Sequence, residues 1–256
     1  MTYDPDSLDR RDPALIARVL GSAEAFGKHY LRLRSEGLEH IPTGPAMFVA
    51  NHNGGIMGPD LFCTLPLLWR TLTVESPLYA LAHDFAMRQV TPLGRLLQRF
   101  GAVAASRANA RRVFARGGQV LLYPGGDLDA YRTSDRRNDV VILPRTGFVE
   151  VAQELGVPIV PIVAHGAHRS AFIFSEGRAI ARALRMKRWA RLERFPLAFA
   201  LPWGIAPGPW LPYLPLPFPV RLRVLPPVRV SARDDAGHEA RRIERQMQDA
   251  LDDLAR

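Results

Sequence analysis

The chain has 256 residues, 47% of them apolar, which suffices for one large α/β domain or two small ones and excludes an intrinsically disordered chain. Its formal net charge of +9 is carried almost wholly by arginine, since Lys28 and Lys187 are the lysines, and that charge suits an acidic substrate carrier, nucleic acid or anionic lipid. A single cysteine, Cys63, excludes an internal disulfide and points to a reducing compartment.

The opening residues, MTYDPDSLDRRDP, hold no apolar segment and read as no secretory signal. Residues 1–12 are expected to form a loose polar leader before a domain over 13–256. Asp12 as N-cap and Pro13 in the first position start a helix that runs to about residue 34. Leu15, Ile16, Val19, Leu20, Ala23 and Phe26 give it an apolar stripe, part for the core and part for lipid. Residues 46–51 form a short buried strand that runs into a turn at His52. A helix over 60–72 follows, bent or interrupted at Pro66, then a strand over 78–82 and a mostly helical stretch over 84–100 with a break near Pro92. Residues 101–105 read as a strand, 106–115 as a helix capped by Ser106 and stopped at Gly117 and Gly118, and 120–123 as another strand. Helix 148–155 ends at Gly156. The segment VPIVPIVA, residues 157–164, makes a buried strand whose prolines place it toward a sheet edge. Residues 221–230 supply a last strand and 238–255 a closing helix. Strands alternating with helices predict an α/β fold, a mixed, largely parallel sheet flanked by helices in a single domain. Sites in such folds gather beyond the carboxyl ends of the strands.

Chemistry concentrates in two glycine-rich turns. In NHNGGIMGPD, residues 51–60, Gly54, Gly55 and Gly58 let the chain fold back so that Asp60 reaches His52. An imidazole is the natural base for a hydroxyl at neutral pH, and a carboxylate on its other nitrogen fixes the tautomer and stabilises the imidazolium. The second turn, Tyr123, Pro124, Gly125 and Gly126, lets backbone N–H groups approach an anion. Taken alone it is a plain turn. Gly101 and Arg107 in GAVAASR place a cation at the start of a helix, where phosphate binds well. His165 and His168 read as polar loop residues, and no metal site is implied.

Together and in this order the motifs resemble those of the glycerolipid acyltransferase superfamily, of the lysophosphatidate acyltransferase type. Its first block is matched by Asn51, His52 and Asp60, its second by Gly101 and Arg107, its third by Tyr123 to Gly126, and its fourth by Val157 to Pro161. The resemblance covers about residues 35–170. Two departures stand out. The spacer between His and Asp is seven residues instead of four, the four-residue position being Met57, and the Glu of the third block is Gly125. The Pro-Gly-Gly form is similar to the diacylglycerol acyltransferase-like branch, with Asp127 or Asp129 open to take the missing acid's role.

The resemblance implies an O-acyltransferase in which His52 and Asp60 are catalytic. Asn51, Arg107, Tyr123, Pro124, Gly125, Gly126, Asp127 and Arg132 then bind substrate, with Arg145 a further phosphate candidate. No cofactor is expected. The donor is a fatty acyl thioester, acyl-CoA or acyl carrier protein, and the acceptor is a lysophospholipid or acylglycerol. N–H groups of Gly125 and Gly126 are expected at the oxyanion. Membrane contact is expected through segments within about 178–220. Residues 178–194 carry seven basic residues and one acid. Residues 195–220 offer Trp203, Trp210, Tyr213 and Phe218 for the headgroup region, and their eight prolines exclude a spanning helix. This implies a peripheral protein on the cytoplasmic face of a membrane, with no nucleic-acid partner. The alternatives are a lipid thioesterase or esterase, which lacks a Gly-x-Ser-x-Gly elbow, and a non-catalytic lipid-binding protein on the same scaffold.

Overall fold

The computed structural model describes residues 3–53, 55, 58–209 and 213–256. Gly54, Met57, Trp210 and Pro212 of the sequence reading lie outside the described residues. Seven strands form the main sheet: β1 (Arg34–Glu36), β2 (Met47–Ala50), β3 (Leu78–Ala82), β4 (Ala102–Ala104), β5 (Gln119–Leu122), β6 (Ile159–His165) and β10 (Arg221–Val224), in the order β1-β10-β6-β2-β5-β3-β4. β6, β2, β5, β3 and β4 run parallel, and β10 is antiparallel to β6. This is the mixed, largely parallel sheet expected of the sequence.

The apolar run of β2 is buried along its whole length because helices cover both sheet faces. Met47 and Val49 join the core beneath α4 (Arg107–Ala115), α6 (Gly147–Leu155) and α9 (Ala236–Ala255). Phe48 and Ala50 point the other way, into the core beneath α1 (Pro13–Ala25) and α2 (Pro59–Leu72). Because β2 and β5 are parallel neighbours, their carboxyl ends deliver the His52 turn and the Tyr123 turn side by side.

Several local expectations are corrected. The leader is tied down: Leu8 is buried, Ala104 N–H donates to Pro5 O at 3.0 Å, and Asp9 and Asp12 pair with Arg116 and Arg99. The first helix stops earlier than expected, passing through one wide turn over Phe26–Tyr30, so that the chain can enter β1. α2 continues through Pro66. β6 lies inside the sheet, between β10 and β2. Its Pro161 is tolerated where β10 ends: the Pro161 carbonyl accepts Leu225 N–H at 2.9 Å, and pairing resumes at Val228 only after Pro226 and Pro227.

A second, three-stranded antiparallel sheet was not foreseen. It comprises β7 (Phe172–Ser175), β8 (Leu197–Ala200) and β9 (Gly204–Pro207). Two short helices, α7 (Arg178–Ala183) and α8 (Met186–Trp189), connect β7 to β8 and carry much of the basic stretch 178–194.

Candidate active site

His52 leaves the end of β2 with its ring 4.7 Å from that of Tyr123, at the end of β5. Its Nδ1 lies 2.8 Å from Asp60 Oδ2. The same carboxylate oxygen accepts the Asn53 N–H at 3.1 Å. Asp60 is fully buried in the first turn of α2, where the helix's positive end favours a carboxylate. The seven-residue spacer closes because position 58 is glycine: a Cβ there would stand 2.2 Å from both Asp60 Oδ1 and Asn53 O. With Nδ1 donating to Asp60, the lone pair resides on Nε2. The ring keeps some access to solvent, with 17% of the side chain exposed.

Burial pulls the His52 pKa down, but the charge of Asp60, its hydrogen bond and the charge of Asp129 outweigh this and the opposing Arg132, leaving it above the ordinary value. Burial pushes the nearby Cys63 thiol up to about 12, with the Asp60 charge adding to it, so Cys63 is no nucleophile near neutral pH.

A buried ion pair fixes the turn from beneath. Asp129 and Arg132 are 1% and 0% exposed. His52 N–H donates to Asp129 Oδ2, while Asp129 Oδ1 accepts Val141 N–H at 3.1 Å and Arg132 Nη1 at 2.6 Å. Arg132 Nη1 also donates to His52 O at 2.8 Å, and Nη2 donates to Asn53 Oδ1. Burial pushes Asp129 up to about 6 against the lowering pull of Arg132 and the N–H donors. Arg132 therefore holds protein groups with its whole guanidinium and is not a substrate contact, which corrects the expectation. The sequence signal that was available is the Asp-x-x-Arg spacing in the short helix α5 (Gly126–Ala130) and the turn after it.

Asn51 is corrected in the same way. It is buried, donates to Ala164 O at 3.0 Å and accepts Ala164 N–H at 2.7 Å, which staples β2 to β6. Asp127 accepts Arg145 Nη2 at 2.8 Å and Glu193 N–H at 2.6 Å, so its oxygens serve the protein. Arg145 also donates to Pro124 O and Gly125 O at 3.1 and 2.9 Å. Gly126 N–H closes the turn onto Tyr123 O at 3.0 Å, which narrows an oxyanion donor from this turn to the Gly125 N–H. His168, read as a loop residue, is buried and donates from Nε2 to Arg132 O at 2.9 Å. Burial holds its pKa down to about 3.

Arg107 stands apart. It begins α4 after the edge strand β4, three strand spacings from β2, or roughly 14 Å. Its Nη1 pairs with Glu150 at 2.5 Å in a half-exposed setting.

No side chain fits at Gly125. A Cβ would stand 1.9 Å from Val141 O and 2.4 Å from Asp129 Cβ. Gly125→Ala is expected to cost about 1–3 kcal/mol by overpacking, seen as a lower thermal midpoint, and an unchanged midpoint would show that the turn yields.

Comparisons with known proteins bear on the family and the fold. The family described as Acyltransferase matches residues 32–165, just over half of the chain. An uncharacterized protein of Mycobacterium tuberculosis is 26% identical over 185 residues, covering 72% of this chain and 51% of the relative. A Bos taurus protein named "DGAT1/2-independent enzyme synthesizing storage lipids" is 27% identical over 188 residues, covering 72% and 51%. The chain thus spans about half the length of these curated relatives. In fold it is similar to the 1-acyl-sn-glycerophosphate (LPA) acyltransferase PlsC from Thermotoga maritima, with a TM-score of 0.56 at 18% identity over 93% of this chain and 81% of that one.

Proposed function

The chain belongs to the acyltransferase family, and on that premise we propose that it moves a fatty acyl group from an acyl thioester to the hydroxyl of a lysophospholipid or acylglycerol at a membrane surface. The observation that carries this reading is the 2.8 Å contact between His52 Nδ1 and the buried Asp60, which leaves Nε2 as the base. His52 Nε2 takes the proton of the acceptor hydroxyl as its oxygen bonds to the thioester carbonyl carbon. The tetrahedral oxyanion is met by the Gly125 N–H. As the intermediate collapses, the carbon–sulfur bond breaks and the imidazolium returns its proton to the leaving thiolate. Asp60 stabilises the imidazolium between the two transfers. Arg107 and Arg145, both part-exposed at this end of the sheet, are the cations for donor or acceptor phosphate. Among the described residues no helix is long and apolar enough to cross a membrane.

The test is lipid mass spectrometry after incubating the protein with acyl-CoA and a mixture of lysophospholipids and mono- and diacylglycerols. An acylated acceptor is the expected product, and free fatty acid alone would replace the transferase with a hydrolase. The pH profile probes the base. Because Asp60 raises the His52 pKa, kcat/KM should climb with pH through an apparent pKa above about 6.5. Asp60→Asn removes the charge that favours the imidazolium, so the apparent pKa should fall and kcat should drop by on the order of a hundredfold. An unmoved profile would detach Asp60 from the base.

A further inference from the structure

We propose that the outer face of the three-stranded sheet is the bilayer-docking surface of this protein, and that it lies down on anionic lipid beside the basic α7–α8 connection. The proposal rests on the reading above, since it names how that enzyme reaches its lipid.

The sheet has an unusual polarity. Antiparallel sheets that cover a core on one side turn polar residues to water on the other. Here Ile173, Ala198 and Ala206 pair across the strands on the inner side, and the neighbouring row Phe172, Phe199 and Ile205 pairs on the outer side. That outer row is 59%, 51% and 70% exposed. Phe174, Leu201, Trp203, Leu214 and Phe218 extend the exposed apolar surface. From Phe195 to Val220 the sequence contains no charged residue at all. An exposed apolar surface on this scale marks an interaction site.

Two features select a bilayer as the occupant. The first is backbone chemistry. Eight prolines between residues 195 and 220 remove N–H donors from this segment, and unsatisfied donors are what make irregular backbone costly in lipid. A protein partner would instead be met by a polar rim and hydrogen bonds. The second is charge. The α7–α8 connection leaves β7 and returns to β8 at one end of the sheet, and Arg182, Arg185 and Arg188 on it are exposed with no carboxylate partner among the described residues. Ile180, Leu184 and Trp189 are exposed among them. Cations interleaved with apolar side chains beside an uncharged apolar face match an anionic membrane interface.

The placement also serves the site. The inner side of the same sheet, through Ile173, Ala198 and Ala206, borders an apolar crevice that Gly55 of the His52 turn and Tyr131 also line. Docking the outer face therefore sets the catalytic turn one sheet thickness from the lipid.

The test is flotation with vesicles of phosphatidylcholine and phosphatidylglycerol, using the full chain. The parent is expected to float with the vesicles. Phe199→Glu/Ile205→Glu should weaken partitioning at least about tenfold, and the neutral pair Phe172→Ser/Ile205→Ser should weaken it without added charge if the first pair fails to fold. Arg182→Gln/Arg185→Gln/Arg188→Gln should abolish the preference for phosphatidylglycerol over pure phosphatidylcholine. A parent that stays with the soluble fraction, or a folded serine pair that floats as the parent does, overturns the proposal. So does a parent dimer that the serine pair splits while flotation is unchanged, since the face would then be an interface between copies. Acyl transfer is scored separately in detergent. Transfer without flotation removes the docking surface alone, while serine-sensitive flotation without transfer upholds it and removes the reaction.

Discussion

His52→Ala is expected to lower acyl transfer by about a thousandfold, within the range removed with a positioned general base, while the protein keeps its fold. The ring touches few groups that depend on it. Asp60 retains the Asn53 N–H and its place at the start of α2, so its carboxylate is not orphaned. Asp129 is held by the backbone N–H at position 52, which any residue supplies. The loss should fall on kcat with little change in KM for the thioester, because Nε2 acts only as the hydroxyl proton moves. Single-turnover loss of thioester, read together with appearance of the acylated lipid, measures it. Transfer within about tenfold of the parent would place the base elsewhere. Equal loss of transfer and of thermal stability would make His52 a structural residue.

The halves of the site differed in how far they could be read from sequence. Apolar runs ending in glycine turns located β2 and β5, and glycine-permitted backbone explains how Asp60 returns to His52 across a long spacer. Such signals are local. For Arg132 the one local sign is the Asp-x-x-Arg spacing, which does not reveal burial, because its partners His52 and Asn53 lie about eighty positions away. In a chain rich in exposed arginine the reading defaulted to ligand contact. The edge expectation for β6 came from counting prolines, whereas what matters is where the neighbouring strand stops. The second sheet was hidden for a different reason. Period-two patterning is the signal for a strand with one wet face, and β7, β8 and β9 are apolar on the outer side as well. Pro207 within β9 and Pro196 and Pro202 flanking β8 argue against strands when read singly, and the 21 residues 176–196, with two short helices, separate β7 from β8.

The largest stability effect is expected at that buried arginine. Arg132→Met keeps the volume and removes the donors that bind His52 O, Asn53 Oδ1 and Asp129. Breaking a buried pair on one side costs about 3–5 kcal/mol, which for a chain of this size lowers the thermal midpoint by roughly 10 °C. The sign of its pH dependence is fixed by Asp129. Burial already pushes that carboxyl up to about 6, and Arg132 is the foremost influence pulling it down. Without the guanidinium the folded-state pKa rises further above the unfolded value. Folding then takes up a proton between the two values, and stability falls as pH rises through that window. The deficit of Arg132→Met should therefore be smaller at pH 5 than at pH 8, and Asp129→Asn placed in the same chain should recover part of the loss at pH 8. Activity separates positioning from folding: at a temperature where the double variant is fully folded, kcat should stay depressed because the turn that carries His52 has lost its clamp, while KM for the thioester holds. Thermal denaturation at the two pH values reads the first effect, and a deficit independent of pH would show that Arg132 acts on packing and not on the Asp129 charge.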